Sequence, residues 1–145
     1  MNEILNTLFT KHQHQPGALL PILHGIQHAL GYVPDEAVPL IAKQLNLSRA
    51  EVHGVITYYH HFRQTPPGKH VVRVCCAEAC QANGGEALAE HAAKSLQGAD
   101  VTLEPVYCLG LCSIGPNIQI DETGLHAHVT PKKFDALIKE LGEKA

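Results

Sequence analysis

The chain has 145 residues, 45% of them apolar and 17% charged, with a formal net charge of −3. That is room for one ordinary domain or two very small ones, with the composition of a soluble globular protein. The charge leaves no electrostatic footprint for nucleic acid or an anionic membrane, and no apolar run approaches the roughly 20 residues that span a bilayer.

The start, MNEILNTLFTKHQHQ, lacks the basic and apolar regions of a signal peptide, so a cytoplasmic location without membrane insertion is expected. Two prolines and a glycine in Gln64-Thr65-Pro66-Pro67-Gly68 stop any helix and mark a linker. Residues 1–66 read as helical, and residues 67–145 as alternating strand and helix.

In the first part, Leu19, Ile22, Leu23, Ile26 and Leu30 recur at helical spacing, with Gly31 where a C-terminal cap belongs. Pro21 then has to lie in the first turn, where its missing N–H is not needed. A second helix is expected from near Asp35, carrying Val38, Ile41, Ala42 and Leu45. A third opens at Ser48-Arg49-Ala50-Glu51, whose Ser and Glu have capping-box spacing. Its apolar face is expected to be Val52, Val55, Ile56, Tyr59 and Phe62. Short amphipathic helices of this kind bury one stripe each and make a bundle.

In the second part, His70–Val74 is a β-rich run ending at the first cysteines. Glu86–Leu96 is a helix, and Val101–Tyr107 a second strand ending at the later cysteines. Asn117–Asp121 and Leu125–Val129 flank Glu122-Thr123-Gly124, which reads as a hairpin turn. The last helix has Thr130 as N-cap, Pro131 at its first position, and Phe134, Leu137, Ile138 and Leu141 facing inward. The fold expected is α+β: a helical bundle, then a small sheet layered with helices.

Five cysteines in a reducing compartment argue against a disulfide framework and for metal, cluster or redox chemistry. Cys75-Cys76-Ala77-Glu78-Ala79-Cys80 and Cys108-Leu109-Gly110-Leu111-Cys112 both follow a strand, and two strand ends of one sheet can present four thiolates around one point. Two close pairs suit a two-iron centre, in which each iron takes two thiolates. Such a centre carries about −2 when oxidised, and backbone N–H groups aimed at its sulfurs would offset that charge. Gly110 and Gly115 suit a backbone curling closely around it. Zinc competes, because pairs separated by three or four residues also serve structural zinc sites. A thioredoxin-type dithiol is disfavoured by the lack of any Cys-x-x-Cys. Cys76 could replace Cys75, but adjacent residues leaving a strand point in opposite directions, so only one of the two ligates easily.

The pattern Cys-x4-Cys, 27 residues, Cys-x3-Cys resembles the 24-kDa subunit family of respiratory complex I, which includes small subunits of soluble NAD-reducing hydrogenases and formate dehydrogenases. The resemblance covers nearly the whole chain, including Gly31-Tyr32-Val33-Pro34 and Glu51–Tyr59. Pro16–His24, Leu47–Thr57, His60–Arg63 and Ala77–Gln81 look closest to the gamma subunit of NAD-dependent, molybdenum-containing formate dehydrogenases. It implies one [2Fe–2S] cluster in a thioredoxin-like domain preceded by a helical domain. It assigns Cys75, Cys80, Cys108 and Cys112 as the ligands and sets Cys76 aside. It places FMN, NAD and the molybdenum cofactor on partner subunits: first an FMN- and NAD-binding subunit, then a molybdenum-containing catalytic one. The chain would relay single electrons to and from the flavin and catalyse nothing alone. The equivalent subunit of complex I or of an NAD-reducing hydrogenase is the alternative, and a zinc-stabilised interaction module is the alternative of another class.

Eleven histidines are many for this length. His24 and His28 have i, i+4 spacing on a helix, and His126 and His128 are expected on one strand face. Neither pair has a carboxylate or cysteine at matching spacing, which favours structural roles. No histidine lies at 75–80 or 108–116, so a Rieske-type centre fails. His60 and His61, with Tyr58, Tyr59, Phe62 and Arg63, suit either a docking face or helix packing. No phosphate-cradling glycine loop, Gly-x-Ser-x-Gly or paired-carboxylate signature occurs.

Overall fold

The computed structural model describes residues 1–143, the side chains of Cys112 and Glu143 excepted. The chain divides into two compact units, Met1–Pro67 and Gly68–Ala145.

The first unit carries α1 (Asn2–His12), α2 (Leu19–Leu30), α3 (Ala37–Leu45) and α4 (Arg49–Tyr58). Leu5 and Phe9 of α1 are buried four residues apart, a stripe too short to stand out in the sequence. They pack with Ile22, Leu23 and Ile26 of α2, Ile41 of α3, and Val52 and Ile56 of α4. Pro21 is the third residue of α2, where no intrahelical N–H bond is lost. Gly31 ends α2 at φ +84°, a left-handed conformation that glycine adopts without a Cβ clash. The capping box of α4 is complete: the Glu51 N–H donates to Ser48 Oγ at 3.1 Å, and the Ser48 N–H donates to Glu51 Oε2 at 2.8 Å.

The expected run of α4 through Phe62 is not realised. The helix ends at Tyr58, and Tyr59 is extended and 43% exposed. The cause lies in α2, whose buried Gln27 donates from Nε2 to the His61 carbonyl at 2.6 Å and accepts the Arg63 N–H at Oε1, 2.9 Å away. Arg63 also donates to the Gly31 carbonyl at 2.9 Å. A buried amide satisfied by turn backbone holds residues 59–63 out of the helix, yet still turns Phe62 into the core.

The second unit runs β1 (His70–Cys75), α5 (Glu78–Ala82), α6 (Gly85–Ser95), β2 (Val101–Val106), a 3₁₀ turn (Cys112–Ile114), β3 (Ile118–Ile120), β4 (Gly124–His126) and α7 (Pro131–Glu143). The sheet order is β2-β1-β3-β4, with β1 parallel to β2, antiparallel to β3, and β3 antiparallel to β4. Parallel neighbours need a long crossover, which α5 and α6 supply. Pro105 is tolerated in β2 because β2 is an edge strand. Val72, Val74, Ile118 and Ile120 pack against Leu88 and Ala92 of α6 and Phe134 of α7. Full burial of a side chain like Phe134 stabilises by roughly 1.5–3 kcal/mol. The Lys133 N–H donates to Thr130 Oγ1 at 3.2 Å, so Thr130 caps α7 as its sequence suggests.

Asp121 fastens the far end of this sheet. Its Oδ1 accepts the Val71 N–H at 3.0 Å, and its Oδ2 lies 2.9 Å from His70 Nδ1. Its own N–H donates to the Val71 carbonyl at 2.8 Å. The architecture is thus α+β, helices first and then a small mixed sheet.

Candidate metal centre

The end of β1 is fixed from both sides. The Cys75 N–H donates to the Asn117 carbonyl at 3.0 Å, and the Cys76 N–H donates to the Val106 carbonyl at 2.7 Å. These bonds join the start of the first cysteine loop to the ends of its neighbours. The first cysteines were expected in a loop; the structure instead sets Cys80 in the short helix α5, just after the strand-end Cys75.

Both side chains are 1% exposed, and the Cys80 thiol donates a hydrogen bond toward the Cys75 sulfur. The Cys75 sulfur also meets the backbone N–H groups of Ala77, Cys108 and Leu109. Burial pushes this thiol up, but the Ala77 N–H, the Cys80 side chain and the Cys108 and Leu109 N–H groups outweigh it, so its pKa ends below the ordinary thiol value and the thiol is the more acidic. Donors from both cysteine loops therefore converge on one sulfur. Cys76 differs: its sulfur lies 3.5 Å from the Val74 carbonyl, and burial, then the neighbouring Cys75 charge, push its thiol up.

The second loop is bent sharply. Cys108 has φ +96° and Gly110 φ +78°, and the Gly110 N–H donates to Cys108 Sγ at 3.3 Å. A non-glycine residue held in that region marks a backbone fixed by its surroundings. Gly115, also expected to curl the backbone, has an ordinary extended conformation. The loop is tied down where the His128 N–H donates to the Ile114 carbonyl and the Val129 N–H to the Pro116 carbonyl, each at 2.9 Å.

Of the four expected ligands, the structure brings Cys75 and Cys80 together and lays the Cys108 backbone against them, while the Cys108 side chain is exposed. The Cys112 backbone begins the 3₁₀ turn, and its side chain lies outside the described residues. Among the described residues no three His, Cys, Asp or Glu side chains form a metal-binding group. Gly85 is needed where it stands, because a Cβ there would fall 2.7 Å from the Cys80 carbonyl oxygen.

Asn117 is the residue that the sequence reasoning missed. It is 1% exposed, and its Nδ2 donates to the Leu111 carbonyl at 2.7 Å and to the Cys80 sulfur at 3.5 Å. The only hint in the sequence is an asparagine just ahead of a strand, directly after Gly115-Pro116. Among the described residues the histidines form no second metal-binding group, and His24 packs its ring against His61 and Phe62, with centroids 4.9 and 5.0 Å away. His128 is not on a strand face with His126, because β4 ends at His126 and His128 adopts φ +49°.

A buried, acidified thiol beside a second thiol, in a loop rich in N–H donors, suits an anionic iron–sulfur group whose sulfurs need hydrogen bonds. A family model of thioredoxin-like [2Fe-2S] ferredoxins matches residues 5–142. The chain belongs to that family, whose group is one [2Fe–2S] cluster. It is 35% identical over 137 residues to a subunit of the NADH-quinone oxidoreductase of Escherichia coli strain K12, across 88% of this chain and 82% of that one. It is 28% identical over 133 residues to the HndA subunit of the NADP-reducing hydrogenase of Solidesulfovibrio fructosivorans, across 86% and 77%. Among solved structures, an NAD+-reducing [NiFe]-hydrogenase in the H2-reduced state shares the fold, with TM-score 0.67, 21% identity and 85% of this chain covered against 22% of that one.

Proposed function

We propose that this chain is the [2Fe–2S] electron-transfer subunit of an NAD-linked oxidoreductase, with Cys75, Cys80, Cys108 and Cys112 as the ligands. The observation that carries this reading is the burial of Cys75 and Cys80 against Asn117, whose carbonyl and side-chain amide tie both to the loop that leads to Cys112. When bound, the cluster supplies one-electron storage and release. The protein's own part is to hold the thiolates at two strand ends, to offset their charge with backbone dipoles, and to bury the first pair away from water.

The names of the relatives, subunits of an NADH-quinone oxidoreductase and of an NADP-reducing hydrogenase, support a subunit of a larger NAD(P)-linked complex. In this reading the flavin and NAD are bound by a partner. The finer reading is the gamma subunit of an NAD-dependent formate dehydrogenase, with an FMN- and NAD-binding subunit next to this chain and a molybdenum-containing catalytic subunit beyond it. Its support is the set of sequence stretches at Pro16–His24, Leu47–Thr57, His60–Arg63 and Ala77–Gln81. Among the described residues no helix is long and apolar enough to cross a membrane. A cytoplasmic location is part of this proposal.

The test is to purify the complex through a tag on this chain from the organism that makes it. The expected result is a partner carrying FMN, bound molybdenum, and NAD reduction that depends on formate. A complex that reduces quinone with NADH, or oxidises hydrogen, would replace the formate assignment and keep the electron-transfer role.

A further inference from the structure

We propose that Asn117 is a positioning residue for the cluster, spanning the two cysteine loops and donating an N–H···S hydrogen bond to the Cys80 sulfur that raises the reduction potential. This inference rests on the reading of Cys80 as a ligand.

The orientation of the amide is forced. The Leu111 carbonyl, 2.7 Å away, can only accept, so the atom facing it must be the amide nitrogen. Its second hydrogen is then available to Cys80 Sγ, 3.5 Å from the same nitrogen. The opposite end of the side chain is buried, and Oδ1 has no hydrogen-bond partner among the described residues. An orphaned buried acceptor is destabilising. A residue chosen for stability alone would not carry that cost, so the benefit has to lie in where its donors point.

The position also couples the loops. The backbone carbonyl of Asn117 accepts the Cys75 N–H, while its side chain grips Leu111, the residue before Cys112. One residue thus touches the strand end that carries Cys75, the helix that carries Cys80, and the loop that leads to Cys112. A hydrogen bond to a ligand sulfur becomes stronger as that sulfur gains negative charge, so it favours the reduced state. The reduction adds one electron and neither forms nor breaks a bond.

The experiment is a redox titration of the cluster followed by EPR, comparing the wild type with Asn117→Ala and with Gln119→Ala. Gln119 donates to the Glu122 carbonyl in the exposed hairpin and serves as the control. The expected result is a lower midpoint for Asn117→Ala, by about tenfold in the reduced-to-oxidised ratio or about 59 mV for one electron. Gln119→Ala should match the wild type. An Asn117→Ala cluster with the wild-type potential would overturn the proposal.

If Asn117→Ala binds no cluster, pulsed EPR on reduced wild-type protein decides, using asparagine labelled with 15N only in the side-chain amide. A resolved 15N coupling is expected, and its absence would overturn the proposal. Wild-type protein without any [2Fe–2S] signal would instead defeat the functional reading on which this one rests.

Discussion

At the end of β1 two adjacent thiols meet opposite surroundings. Cys75 is turned toward Cys80 and backbone donors, whereas Cys76 faces the Val74 carbonyl. Alternation along a strand says that the two must differ, but it cannot say which is turned toward the donors. Those donors come from Ala77, Cys108 and Leu109, and residues 31 positions or more apart cannot be paired by local pattern. Asn117 was illegible for a related reason, since its partners Cys80, 37 positions away in α5, and Leu111, in the second cysteine loop, belong to different elements. Cys76→Ser should therefore leave the visible spectrum of the loaded protein nearly unchanged, while Cys75→Ser should lose most of it. The reverse pattern would transfer the ligand role to Cys76. Proximity alone is a weaker guide elsewhere. His91, Asp135 and Ser95 come together, but Asp135 at 2.6 Å and Ser95 at 3.2 Å share the same ring nitrogen, so no proton relay runs through them.

At the scale of single elements, local chemistry was legible wherever it sufficed. The Ser48–Glu51 capping box, the left-handed Gly31, and Thr130-Pro131 at the start of α7 all act as their residue types suggest. It failed where a distant side chain intervened, as with Gln27 ending α4 early. It also failed at α5, five residues long and too short for a periodic pattern. Asp121 offers a test of a single element junction. Burial would push its carboxyl up, but the Val71 N–H, the His70 ring, and the charges of His70 and Arg73 hold it below the ordinary value of 3.8. A depressed native value stabilises the fold above the unfolded value and loses that effect as pH falls through the native one. Asp121→Asn should therefore lower stability by about 0.5–1 kcal/mol at neutral pH, because the carboxylate is 47% exposed. The gap between variant and wild type should close below about pH 4 in urea melts at a series of pH values. A gap that widened in acid would contradict the clip.

For the molecule as a whole, one Pro-Pro-Gly stretch and a change in hydrophobic period from 3.6 to 2 are what divide the sequence into a helical part and a sheet part. The strand order did not follow, because β3 inserts between β1 and β4 through contacts that no local signal encodes. The candidate site was read from spacing: two cysteine pairs, at or just after strand ends, point to a metal centre even when the sheet order is unknown. The central claim is that these pairs hold one [2Fe–2S] cluster. The most direct measurement is iron and acid-labile sulfide content of anaerobically purified protein, with an EPR spectrum after dithionite reduction. About two irons and two sulfides per chain and a single S = 1/2 signal are expected. Stoichiometric zinc with no labile sulfide, in protein made with iron and sulfur available, would contradict that claim.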